Sequence, residues 1–252
     1  MARPAYPEAA APLRLGLACE TNGWGTEMIE TNDNSAIEED EFTEYLEASA
    51  DLYRFYSNVM LVEMTEEQIE ILAESDLSYP EDGSRTAEGY AWLRRYLARR
   101  GANARQDLAV DYARVFLGAG VDEKDAAVPY ESVHRSETGL LMQEQRDEVY
   151  AFYRRFGFAV LEDLHVPEDH LGFELEFLGL MCERAAQAEG FDRDELLASM
   201  RTFIGEHVLS WLPQLVDKVD ACAKRKFYPA MMRIIEGYVR EQYEMLSELV
   251  GR

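Results

Sequence analysis

The sequence is poor in cysteine, histidine and positive charge, and it has no long apolar run. Its three cysteines, Cys19, Cys182 and Cys222, are odd in number and far apart, with no C-x-x-C. That excludes a disulfide framework and a cysteine zinc site, and it points to a reducing compartment. No stretch approaches the roughly 18 apolar residues of a membrane span, so no membrane insertion is expected. Pro4, Pro7, Glu8, Pro12 and Arg14 break up the N-terminal residues, so no signal peptide is read there and a cytoplasmic location is expected. There is no G-x-G-x-x-G, P-loop, H-E-x-x-H or G-x-S-x-G, and no cofactor is expected. Against 49 Asp and Glu stand only 25 Lys and Arg, a net charge of −24. A chain without a general basic face is a poor binder of nucleic acid. Its acidity either serves solubility or attracts a basic partner.

Hydrophobic content of 47% is that of a folded chain. The spacing of its apolar residues is helical almost throughout. No hairpin signal, sustained alternation or repeat of fixed period occurs, so the fold class is all-α, with about nine helices in one globular domain over residues 39–252. Residues 1–38 read as an acidic, partly disordered tail. From Leu15 to Tyr53 there are eleven acids and no Lys or Arg. The first helix runs from Glu39 to about Val62. A capping box, Thr65 to Gln68, opens a short helix through Ala73. Ser84 caps a helix to Arg100, whose Arg94, Arg95, Arg99 and Arg100 form a basic island expected to pair with internal acids. A helix over 103–116 precedes an irregular stretch, 118–137, of a length that is often functional. The next helix spans 139–156. Asp192 is expected to cap a helix to Ile204, and a further helix over 206–223 breaks near Trp211 because of Pro213. The last runs from Tyr228 to Leu249.

The helix that begins after V-P-E-D-H at 166–170 is apolar on so wide a face that burial on most sides is expected. Pro167 suits its first turn, Asp169 its N-cap, and Glu174 and Glu176 need partners inside it. His170 sits at its mouth. Two arrangements could carry chemistry. Glu131-x-x-His134 resembles half of a di-metal carboxylate site, and Asp169 beside His170 could form an acid/base dyad. No nucleophile or oxyanion site accompanies them. Tyr112, Phe116, Pro129 and Tyr130 flank the long loop, as core residues or as walls of a peptide groove.

Taken in order, these segments resemble the TorD/DmsD/NarJ family of redox-enzyme maturation chaperones over residues 41–248. D-Y-A-R-V-F-L at 111–117 is similar to its aromatic-x-x-L-F segment, and P-Y-E-S-V at 129–133 to its segment after the long loop. P-E-D-H-L at 167–171, followed by E-L-E-F at 174–177, is similar to its E-P-x-D-H and E-x-E-F, with Val166 at the glutamate position. His207 to Pro213 and Phe227-Tyr228 are similar to its H-x-x-x-W-x-P and F-Y. The resemblance implies a cytoplasmic all-helical chaperone, monomeric or a domain-swapped homodimer. It would bind the twin-arginine signal peptide and the apo form of a molybdenum-dependent oxidoreductase subunit before export. The peptide-binding residues implied are Tyr112, Phe116, Pro129, Tyr130, Glu131, Pro167, Asp169 and His170. The alternative is a helical metal- or acid/base-dependent hydrolase using Glu131, His134, Asp169 and His170.

Overall fold

Apolar residues three and four apart along α1 (Glu39–Leu61) bury Leu46, Ala50, Tyr53 and Met60 on one face. That face packs on α7 (Leu171–Gln187) in the most extensive helix–helix contact of the molecule. The computed structural model describes residues 39–122, 125–160 and 164–250, so the predicted acidic tail over 1–38 and Cys19 lie outside the described residues. The other helices are α2 (Glu66–Glu74), α3 (Arg85–Ala98), α4 (Ala104–Phe116), α5 (Glu131–Arg135), α6 (Glu144–Arg155), α8 (Gly190–Phe203), α9 (Leu212–Cys222) and α10 (Phe227–Val250). Among the described residues there is no strand, and the fold is all-α as the sequence pattern predicts. No described helix is long and apolar enough to cross a membrane.

Two glycines let α1 and α7 approach. A Cβ at Gly179 would lie 3.2 Å from the Ala50 carbonyl oxygen, and one at Gly172 only 2.4 Å from Leu61 Cγ. Of α7, Leu171, Leu175, Leu178, Met181, Cys182 and Ala185 are all fully enclosed, which explains its near-continuous apolar sequence. α10 forms the second spine, against α3, α8 and α9. Arg233 of α10 holds both Glu88 of α3 and Asp220 of α9, so an ion-pair network ties these three helices together at their rim.

The local signals place most helix starts. Thr65 and Gln68 exchange their capping hydrogen bonds at 3.1 and 2.9 Å, and Ser84 Oγ accepts the Ala87 N–H at 3.1 Å. Four boundaries differ from the sequence reading. The stretch 118–137 is not irregular throughout, since α5 closes it. The next helix begins at Glu144 rather than near 139, because Gly139 and Met142 have φ of 65° and 61°, outside the helical region. The helix after V-P-E-D-H, whose apolar spacing predicts an end near Gly190, stops at Gln187. α8 starts at Gly190 with Glu189 at the N-cap, which leaves Asp192 in the first turn, where its charge favours the helix dipole. The break near Trp211 takes the form of a π-helical turn over Ile204–Val208, after which α9 starts with Pro213 in its first turn.

Candidate functional site

The foot of α7 carries the motif residues, and its cap is not the one the sequence suggests. His170, not Asp169, is the N-cap: its Nδ1 accepts the Gly172 N–H at 3.0 Å. Asp169 turns away and accepts the Ser132 N–H of α5 at 2.8 Å through Oδ2. The backbones join at the same place. The Glu131 N–H donates to the Asp169 carbonyl at 3.0 Å and the Leu171 N–H to the Pro129 carbonyl at 2.9 Å. These bonds form an isolated antiparallel bridge between Tyr130 and His170, whose rings meet edge-on at 5.0 Å. P-Y-E-S and E-D-H-L, about forty residues apart in sequence, thus become one joint.

Beneath the joint lies a buried polar cluster. Glu131 and Glu174 are both fully enclosed. Glu131 is paired with Arg135 one turn away and with His207 Nδ1 at 3.2 Å. Glu174 lies among Glu131, Asp169 and Trp211. Burial, and after it the charge of Glu131, pushes its carboxyl well above the ordinary glutamate range. His207 and Trp211, one turn apart, both reach α5: His207 at Glu131, and Trp211 stacked on His134 at 5.1 Å between centroids. His134 Nε2 contacts the Val128 carbonyl oxygen at 3.0 Å. Burial lowers the imidazole of His134 to about 4 and that of His170 to about 3, so both rings are neutral near pH 7. Burial raises Asp169, and its bonds from Ser132 oppose the rise.

Outside this cluster, Glu168 makes a forked ion pair with Arg146 of α6 at 2.6 and 2.7 Å, and its carbonyl accepts the Tyr153 hydroxyl at 3.1 Å. Tyr112 and Phe116 stand on α4, packed edge-on at 5.3 Å and both against Tyr228. The Tyr112 hydroxyl donates to the Met60 carbonyl at 2.9 Å. Of the eight residues singled out in the sequence, Tyr130 and Pro167 are half-buried and the other six are buried.

Glu131, His134, Asp169 and His170 do not come together as one centre. Asp169 and His170 direct their polar atoms to different backbone amides, so the acid/base dyad expected as an alternative is not formed. Glu131 and His134 turn to different partners, and among the described residues no group of three or more His, Cys, Asp or Glu could hold a metal. The basic island also departs from expectation. Arg94 and Arg100 donate to main-chain carbonyls, and Arg95 and Arg99 have no acid within 4.0 Å among the described residues. Arg95, Arg99 and Arg100, with Lys224, Arg225 and Lys226, line a pocket of about 440 Å³.

Sequence reasoning gave no role to His207, Trp211, Arg135, Arg146 or Glu168. The i, i+4 spacing of His207 and Trp211 was the available signal, since it places both on one helical face.

Residues 80–217, more than half the chain, match the family described as nitrate reductase delta subunit. The chain is similar to the chaperone protein TorD of Aliivibrio fischeri, with 26% identity over 214 residues, 82% of this chain and 98% of that protein. It is 27% identical to TorD of Vibrio vulnificus (strain YJ016) over 212 residues, 79% of this chain and 94% of that one. With TorD of Vibrio parahaemolyticus it shares 31% over 139 residues, 55% and 63% of the two chains. The chain belongs to the nitrate reductase delta subunit family, the TorD/DmsD/NarJ group of redox-enzyme maturation chaperones, and is a chaperone rather than an enzyme.

Proposed function

We propose that the protein binds, in the cytoplasm, the twin-arginine signal peptide of a molybdenum-dependent oxidoreductase subunit and holds that subunit in its apo form until it is ready for export. The observation that carries this reading is charge. At −24 the molecule attracts a peptide whose recognition element is a pair of arginines, and it repels anionic surfaces. The apolar stretch that follows such a pair needs an apolar receiving surface next to the acidic one.

Within this reading the eight motif residues divide by burial. Tyr130 and Pro167, which reach the surface, would touch the peptide. Tyr112, Phe116, Pro129, Glu131, Asp169 and His170 would act from beneath, fixing the shape of the surface that the joint presents.

Capture of partners by the tagged protein from the native cytoplasm, followed by mass spectrometry, tests the reading. An immature molybdoenzyme subunit still carrying its twin-arginine leader is the expected partner. Recovery of only mature, leaderless subunits, or of no redox-enzyme subunit, would overturn it.

A further inference from the structure

Leu140, Leu141 and Met142 are three consecutive large apolar residues exposed at 58, 44 and 56%, in the turn between α5 and α6. The other exposed large apolar side chains among the described residues, such as Val110 and Phe191, stand singly in the sequence and need no explanation. Three together in a polar chain do.

The loop is built, not slack. The Ser136 hydroxyl accepts the Gly139 N–H at 3.1 Å, and the Gln143 amide donates to the Leu141 carbonyl at 2.9 Å. Met142 holds a left-handed backbone, with φ of 61°, a conformation that costs a side chain of this size and is kept where surroundings impose it. Polar side chains thus bond within the loop while the apolar ones face water, the reverse of the usual arrangement.

Both ends of the loop are fastened to the joint. On one side α5 is capped by Asp169, and on the other Arg146 in the first turn of α6 is clamped by Glu168. The P-Y-E-S and P-E-D-H segments therefore hold up the two posts from which the loop hangs.

The rim is acidic. Glu137, Glu144, Asp147 and Glu148 are exposed around the three apolar residues. The cations between residues 131 and 148 are engaged within the protein: Arg135 by Glu131, and Arg146 by Glu168 and by Asp147 at 2.9 Å, which leaves Glu137, Glu144 and Glu148 for a partner. The surface fits a segment in which positive charge adjoins an apolar stretch. It does not fit a second copy, which would bring the same acidic rim against itself.

We propose that the Leu140–Leu141–Met142 loop is the surface on which the apolar stretch of the leader docks, with Glu137, Glu144 and Glu148 receiving its arginines. This rests on the leader-binding function proposed above and names its contact residues. The buried motif residues then act as positioning residues for the loop.

The test is fluorescence anisotropy with a labelled synthetic peptide carrying two adjacent arginines followed by an apolar stretch. Wild type is compared with the triple variant Leu140→Ser, Leu141→Ser, Met142→Ser and with Glu137→Lys, Glu144→Lys, Glu148→Lys. All six side chains are exposed, and unchanged helical circular dichroism and melting would verify that the fold is kept. The apolar variant is expected to bind about tenfold more weakly or worse. The charge variant is expected to bind more weakly and to lose most of the salt dependence. Equal binding by wild type and the apolar variant would overturn the loop assignment while leaving leader binding intact. Wild type failing to bind would overturn leader binding itself, and the assignment with it. Sedimentation showing a wild-type dimer that the apolar variant dissociates, with peptide affinity unchanged, would also overturn the assignment, because the loop would then serve self-association.

Discussion

Asp169 accepts the backbone N–H of Ser132 at 2.8 Å, so an acid at the foot of α7 caps α5, 37 residues earlier in the chain. A short helix of five residues has little stability of its own, and this long-range cap supplies what its sequence lacks. Asp169→Ala leaves the Ser132 N–H buried without an acceptor and should cost about 1–2 kcal/mol in urea unfolding. Asp169→Asn retains an amide oxygen for that N–H and should cost less than the alanine variant. Equal loss in the two would show that the cap is not what stabilises the joint.

Glu174 gives the joint a pH dependence of definite sign. Its folded-state value lies well above the ordinary 4.5, chiefly through burial and then through Glu131, so the folded protein holds this proton more tightly than the unfolded chain. Its contribution is fully present below about pH 4.5 and declines as pH rises through the raised value. Glu174→Gln, neutral at every pH, should flatten the alkaline side of a plot of urea midpoint against pH. An alkaline slope as steep as that of wild type would exclude Glu174 as its source.

His170 acts in the opposite direction. Burial lowers it from 6.5 to about 3, so the unfolded state takes up its proton first. Acidification from pH 6.5 towards about 3 should therefore lower stability through this group. His170→Asn keeps a good N-cap acceptor for the Gly172 N–H and removes the titration. Its stability should therefore fall less steeply on acidification than that of wild type, as read by urea midpoints across that range. His134, lowered to about 4, will continue to contribute a slope of the same sign.

Gly172 is required by space rather than by backbone conformation. A Cβ there would meet Leu61 Cγ at 2.4 Å and Cδ2 at 2.8 Å. Gly172→Ala should destabilise by about 1–3 kcal/mol through overpacking at the α1–α7 contact. Adding Leu61→Ala should recover part of that loss, a non-additivity that a double-mutant cycle in urea would measure. Strict additivity of the two changes would contradict the close contact.

The elements that announce themselves locally were legible in the sequence. Thr65 with Gln68, Ser84 before α3, and Pro213 at the start of α9 each act on backbone atoms a few residues away, and the structure uses them as their chemistry predicts. The wide apolar face of α7 also reads correctly as burial, since α1 and α8 pack against it. What could not be read is the long-range bonding. Asp169 is a proper capping residue, but nothing in P-E-D-H says that the N–H it takes is Ser132's rather than one of its own helix. His207 and Trp211 lie far from α5 in sequence, and only the fold brings them to Glu131 and His134. Leu140 to Met142 fall inside the helix expected over 139–156, and the left-handed backbone at Met142 keeps them outside the helix that forms from Glu144.

The most direct test of the account is the salt dependence of binding between the purified protein and a labelled twin-arginine leader peptide, compared with the same peptide bearing glutamines at the two arginines. The expected result is saturable binding of the arginine peptide that weakens as salt rises, with markedly weaker binding of the glutamine peptide. Equal affinity for the two peptides at every salt concentration, or no saturable binding of either, would contradict it.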